Sequence, residues 1–172
     1  MTTKININGD ILDETFVSIV DHGFLFGESV YEVICTAQGK PCFLNEDLKR
    51  LYASASGISL KIPHDQEWIK NQIQTTLNSA GNPESYIRII VTRGVGDVDI
   101  DPSSCFHPNL IIFVKNIPKI PDENYEKGIP VALVSIKRNS RDALDPAVKT
   151  GNYLNNVLAR VEASTLAKTL FR

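Results

Sequence analysis

The segment at residues 86–93 constrains the fold more than any other stretch. Ile87, Ile89 and Val91 fall on one side of it and Tyr86, Arg88 and Ile90 on the other, which is the two-residue period of a strand. Gly94-Val95-Gly96-Asp97 breaks it. Two helical patterns precede it. In the first, Glu46 and Asp47 follow the capping residue Asn45, where anions suit the helix dipole, and Leu48, Leu51, Tyr52 and Ala55 form one apolar stripe ahead of Gly57. The second opens at Asp65, carries Ile69, Ile73 and Leu77, and stops at Gly81. Earlier still, Asn8-Gly9 between two short apolar runs is a hairpin signal, because both turn positions must tolerate positive φ. Ser29 to Ala37 and residues 41–44 read as strands, and an apolar run from Asn109 to Lys115 reads as a buried one. Strands, then helices, then strands imply an α+β fold rather than alternating βαβ units.

Composition narrows the function. The net charge is -2 and lysines and arginines form no basic stripe, so nucleic-acid binding has no electrostatic support. His22, His64 and His107 are far apart and lack metal-ligand spacing, and no metal site is expected. Cys35, Cys42 and Cys105 are odd in number and form no CxxC pair. They read as reduced thiols of a cytoplasmic protein. Residues 1–6 have no apolar core, so no signal peptide is expected, and no apolar run approaches membrane-spanning length.

Chemistry enters at Ala147-Val148-Lys149-Thr150-Gly151-Asn152-Tyr153. A lysine in a dry setting can lose its proton and act as an amine, and an uncharged amine condenses with an aldehyde. A second stretch, Asp21-His22-Gly23-Phe24-Leu25-Phe26-Gly27-Glu28-Ser29-Val30-Tyr31-Glu32-Val33, stands near the N-terminus. With Lys149, Arg50 and Tyr86-Ile87-Arg88, it resembles the class IV (fold-type IV) pyridoxal-phosphate aminotransferases. That family includes branched-chain aminotransferases, D-amino-acid aminotransferases and aminodeoxychorismate lyase. The resemblance runs from about Ile5 to the last residue in the same order and spacing. Family members continue well past the point where this chain stops.

The resemblance implies the two-domain fold of D-amino-acid aminotransferases, with pyridoxal 5'-phosphate as cofactor. It implies Lys149 as the Schiff-base lysine that also shuttles the α-proton. Arg50 resembles the arginine that binds the cofactor's phosphate, and a guanidinium fork suits phosphate oxygens. By helix phase Arg50 lies opposite the apolar stripe, and Ala53, Ser54 and Gly57 on its face would let another element approach closely. Asp47 stands where the family often has a histidine. Tyr153 resembles the tyrosine at the cofactor's phenolic oxygen. Phe26, Tyr31, Val33, Tyr86 and Arg88 are expected on the substrate side, Tyr31 sharing a strand face with Val33 and Cys35. Glu32 alternates inward with Val30 and Ile34; a buried carboxylate needs a partner, so it reads as a structural anchor or a supporting group.

The Pro- and charge-rich stretch at residues 117–128 reads as a linker between a small α+β domain (1–116) and the opening part of a cofactor-binding domain (129–172), with a strand at 130–136 and an amphipathic helix at 152–168. The expected reaction is transamination between a branched-chain amino acid and a 2-oxo acid in a cytoplasmic homodimer. D-amino-acid aminotransferase, aminodeoxychorismate lyase and a non-catalytic fragment are the alternatives. Phe26, Tyr31 and Val33 favour an apolar pocket for Val, Leu or Ile side chains. Against the branched-chain type, its enzymes usually carry an arginine where Cys35 stands. The acidic loop Val95-Gly96-Asp97-Val98-Asp99 is a poor carboxylate trap, against the D-amino-acid type. The chain alone is expected to bind cofactor weakly and to lack useful turnover.

Overall fold

The computed structural model describes residues 2–117 and 119–170. Its contacts divide the chain into two units, Met1–Ile117 with Ala147–Gly151, and Pro118–Pro146 with Asn152–Arg172.

The first unit is a six-stranded sheet in the order β2-β1-β6-β5-β3-β4. Its strands are β1 (Lys4–Ile7), β2 (Asp10–Leu12), β3 (Ser29–Ala37), β4 (Lys40–Pro41), β5 (Ser85–Thr92) and β6 (Asn109–Asn116). Every pairing is antiparallel. The β1–β2 hairpin turns at Asn8 (φ 54°) and Gly9 (φ 107°), as the Asn-Gly signal requires.

One face of the sheet carries α2 (Leu44–Gly57) and α3 (Gln66–Ala80), with α2 against β3 and α3 against β1 and β6. Val30, Ile34, Ile87, Ile89, Val91, Leu110, Ile112 and Val114 point into this layer with Leu48, Leu51, Ile69 and Ile73. The alternation at residues 86–93 is thereby realised: Ile87, Ile89 and Val91 are fully buried while Tyr86, Arg88 and Ile90 face the other way, half-buried. Asn6 is a polar residue in this layer. It is fully buried and donates to Gln72 Oε1 (2.8 Å) and Thr76 Oγ1 (3.2 Å) of α3, which satisfies it and fixes the helix over β1.

Helix ends follow the sequence at α3 and depart from it at α2. Asp65 caps α3 by accepting from Trp68 N–H (2.8 Å), and Gly81 closes it in the left-handed region (φ 62°). The strand expected at residues 41–44 is instead the two-residue β4, and the capping position of α2 is Phe43 (φ 52°) rather than Asn45. The turn forced on Phe43 starts the helix two residues early and ends the ladder. A short helix, α1 (His22–Leu25), opens at Asp21, which is fully buried and accepts from Gly23 N–H (2.7 Å), Thr92 Oγ1 (2.8 Å) and Asn109 Nδ2 (2.9 Å).

The second unit holds α4 (Asp122–Lys127) and α5 (Leu154–Leu170). The strand expected at residues 130–136 is absent. A strand exists through its ladder, and here the Ser135 and Ile136 amides donate to the Glu162 carboxylate (2.8 and 3.3 Å) instead. The apolar stripe expected along α5 is exposed at Leu154, Leu158 and Val161, and Leu133 is wholly exposed.

Two substitutions grade these anchors. Asp21→Ala strands one buried and two partly buried donors and should destabilise the first unit by about 3 kcal/mol, whereas Asp65→Ala should cost about 1 kcal/mol. Urea unfolding followed by the fluorescence of Trp68, the sole tryptophan, measures both.

Candidate active site

The outer edge of β3 is paired with β4 only at Thr36 and Ala37, leaving the first half of the strand open on that side. Residues 147–151 fill it. Tyr31 N–H donates to Lys149 O (3.0 Å), Gly151 N–H donates to Ser29 O (2.7 Å), and Val30 bridges Thr150. From the other side, Lys149 N–H donates to Ser54 Oγ of α2 (3.1 Å). Two glycines make the approach possible. A Cβ on Gly57 would stand 2.7 Å from Val148 Cγ2, and one on Gly151 would stand 2.1 Å from Ser29 Oγ. The small residues on the Arg50 face of α2 thus receive a segment from far along the chain.

This pairing sets where the lysine side chain lies. Lys149 Nζ is 4.2 Å from the centroid of the Tyr31 ring, and Arg88 Cζ is 4.0 Å from the same ring. Both contacts are of cation–π type. Tyr31 is 5% exposed, so two cations meet at a nearly buried aromatic on the sheet face away from the helices. Val33 lies opposite Arg88 in the β3–β5 register and Cys35 opposite Tyr86. Tyr86 in turn lies under Lys115, whose Nζ is 5.4 Å from its ring centroid.

Arg50 sits one helical turn before Ser54 and is held by two carboxylates. Its Nε donates to Glu32 Oε2 (2.6 Å) and its Nη2 to Asp47 Oδ1 (2.7 Å). Glu32 is 1% exposed and Arg50 is its cationic partner, the anchor that a core-facing carboxylate demands. The two acids occupy the Nε/Nη2 edge of the guanidinium. The Arg50 side chain is half exposed. Burial, and then the neighbouring Glu32 carboxylate, hold the Asp47 carboxyl above the ordinary range against the opposing pull of Arg50. The bond to Glu32 raises the Arg50 pKa further.

Phe26 directly follows α1. The Phe26 ring stands edge-on to His22 at 4.9 Å. His22 is fully buried between Glu28 Oε2 (3.2 Å from Nδ1) and Asp97 O (2.8 Å from Nε2). Tyr153 belongs to the second unit, directly before α5, and its carbonyl accepts from Val157 N–H (3.0 Å). Sequence reasoning passed over Ser29 and the hydrogen-bonding role of Ser54. The signal for both was the pairing of small residues, Gly57 and Ser54 on one element and Gly151 on the other.

The class IV aminotransferase family model, "Amino-transferase class IV", matches residues 29–169. The chain belongs to this family. A putative branched-chain-amino-acid aminotransferase of Methanocaldococcus jannaschii is 39% identical over 163 residues, covering 94% of this chain and 56% of that protein. A D-alanine aminotransferase of Staphylococcus haemolyticus is 32% identical, covering 92% of this chain and 55% of that protein. The branched-chain aminotransferase of the thermophilic archaeon Thermoproteus uzoniensis, solved with norvaline, superposes with a TM-score of 0.80 at 25% identity, over 94% of this chain and 56% of that one. The chain therefore spans about half the length of the relatives it matches. No helix among the described residues is long and apolar enough to cross a membrane.

The Asp47 environment yields a signed pH effect. A carboxyl whose pKa is raised on folding is favoured while protonated, and that contribution is lost as pH rises through the folded-state value. Asp47→Asn keeps an acceptor for Arg50 and removes the repulsion with Glu32. It should gain up to about 1 kcal/mol at pH 7. The gain should vanish as pH falls below about 3.9. Urea midpoints of the two proteins across pH 3–8 check this.

Proposed function

We propose that this sequence provides the lysine and part of the cofactor and substrate sites of a pyridoxal-phosphate-dependent aminotransferase acting between a branched-chain amino acid and a 2-oxo acid. The observation that carries the reading is the placement of Lys149. Its backbone is tied to β3 and α2, and its amine lies at the ring of Tyr31 beside Arg88.

The residues present fit the cofactor. Lys149 offers the primary amine that an aldehyde requires, and Arg50 offers a charged, partly exposed guanidinium whose outer N–H groups suit a phosphate. Pyridoxal phosphate supplies an electron sink for charge developing at the substrate's α-carbon. Lys149 would hold the cofactor and move the α-proton, and Arg50 would hold its phosphate. Tyr153, four residues after Lys149, is our candidate for the phenolic oxygen on sequence spacing alone. Arg88 and the Tyr31 hydroxyl-bearing ring would position the substrate carboxylate, with Val33 and Tyr86 on the same sheet face and Phe26 as a further apolar contact. The 39% identity to a putative branched-chain enzyme favours Val, Leu or Ile as amino donor. The D-alanine aminotransferase likeness makes D-alanine the second donor to test.

The proposal includes the domain division at residues 117–128, a cytoplasmic location for its free thiols, and a homodimer. For the dimer, the local support is apolar exposure at Phe16, Ile19 and Phe24, on the segment leading into and through α1.

The test is covalent. In a protein of the relatives' full length carrying this sequence, incubation with pyridoxal phosphate and borohydride reduction should put the pyridoxyl label on the peptide carrying Lys149. Lys149→Ala should lose the label while Trp68 fluorescence and the urea midpoint stay unchanged. Label spread evenly over other lysines would overturn the assignment. In the same full-length protein, this variant should lower transamination of leucine by at least about a thousandfold. A preference for D-alanine over leucine would move the reading to the second donor class.

A further inference from the structure

Two cysteines are opposed at the β3–β4 hairpin, the Cys42 thiol lying 3.9 Å from Lys40 O. The β3–β4 register pairs Ala37 with Lys40 and Thr36 with Pro41, and the next pair outward is Cys35 with Cys42. Cys42 N–H donates to Cys35 O (2.9 Å), so the two residues remain opposed although β4 has ended. Both are free and half-buried.

The hairpin that opposes them is held from outside. Gln38 (φ 54°) and Gly39 (φ 72°) form the turn. Glu84 accepts from Gln38 N–H (2.6 Å), from Gly39 N–H (3.3 Å) and from the Thr36 hydroxyl. Directly opposed residues of a hydrogen-bonded antiparallel pair have Cα atoms about 5.5 Å apart, within the span of about 4.4–6.8 Å that a disulfide bridges. Their Cβ separation is wider than an unstrained disulfide prefers, and strained bridges are the easily reduced ones.

We propose that Cys35 and Cys42 form a reversible thiol–disulfide site on the edge of the candidate active-site wall. The reaction is exchange with a small-molecule disulfide. The Cys42 thiolate attacks one sulfur of that disulfide, which releases one thiol and leaves a mixed disulfide on Cys42. The Cys35 thiolate then attacks Cys42 Sγ and expels the second thiol. In balance, one small disulfide and two cysteine thiols become one protein disulfide and two small thiols. Cys42 is the entry point because burial first, and then the Cys42 and Asp47 charges, push the Cys35 thiol up; the mixed disulfide removes the Cys42 charge and so eases the second attack.

The position of the bridge gives it a consequence. Cys35 lies on the strand face of Tyr31 and Val33. Cys42 lies two residues before α2, whose first turn carries Asp47, the partner of Arg50. A closed bridge ties the end of the substrate-side strand to the start of the helix that carries Arg50. The opposed cysteines depend on the hairpin register and not on a bound cofactor.

The test uses the 172-residue chain, fully reduced and then exposed to oxidised glutathione. Cleavage after glutamate releases residues 33–46 as one peptide holding both thiols. That peptide should be recovered lighter by two hydrogens and without a glutathione adduct, while Cys105 carries no bridge to it. Dithiothreitol should restore both thiols. In Cys42→Ser, loss of the Cys35 thiol should slow by about tenfold or more. Trp68 fluorescence confirms that this variant is folded. A stable glutathione adduct on Cys42 with Cys35 still reduced would overturn the proposal. So would bridges formed mainly to Cys105 or between chains, or equal rates of Cys35 loss in the two proteins.

Discussion

The arrangement depends on the open half-edge of β3. A sheet edge carries unpaired backbone donors and acceptors, and buried ones must be satisfied. Here β4 covers two residues of the edge, and residues 147–151 cover its beginning. A distant piece of chain is thereby fixed to the sheet by main-chain bonds. The lysine within it inherits a set backbone position from those bonds. Its side chain therefore starts from a fixed point on the sheet. The cost falls on neighbouring positions, which must be small: Gly57 beneath Val148 and Gly151 beside Ser29.

A second constraint is the carboxylate of Glu32. It lies in a strand position whose neighbours on the same face, Val30 and Ile34, are core residues. Leaving it unpaired there would be strongly unfavourable, so it demands a cation within reach. Arg50 meets it from α2, and the pair fixes the rotation of the helix relative to β3. The same rotation presents Ser54, one turn on, to Lys149 N–H. The ion pair and the lysine segment are thus coupled through one helix. Asp47 shares the guanidinium edge that Glu32 holds.

Much of this was legible in the sequence wherever local chemistry decided the outcome. The Asn8-Gly9 turn, the Asp65 cap, the Gly81 stop and the alternation of Ile87, Ile89 and Val91 follow from φ preferences and period alone. The inward direction of Glu32 and the small-residue face of α2 also followed. What was not legible depended on partners far along the chain. Residues 130–136 have strand composition, but the amides of Ser135 and Ile136 reach Glu162 rather than a ladder. The start of α2 turned on Phe43 adopting a left-handed conformation, which no residue preference at that position announces. The pairing of residues 147–151 with β3 joins positions more than a hundred residues apart, and no local pattern encodes a register of that kind.

The ring of Tyr31 shows how the two kinds of information meet. Strand parity alone assigns it to the face of Val33 and Cys35. Only the long-range pairing brings Lys149 to that face, and only the β3–β5 register brings Arg88. Two cations at one aromatic would repel each other in a dry interior. The ring's negative face offsets part of that repulsion, and an anion between them would offset more. The cluster is therefore suited to a carboxylate or another small anion.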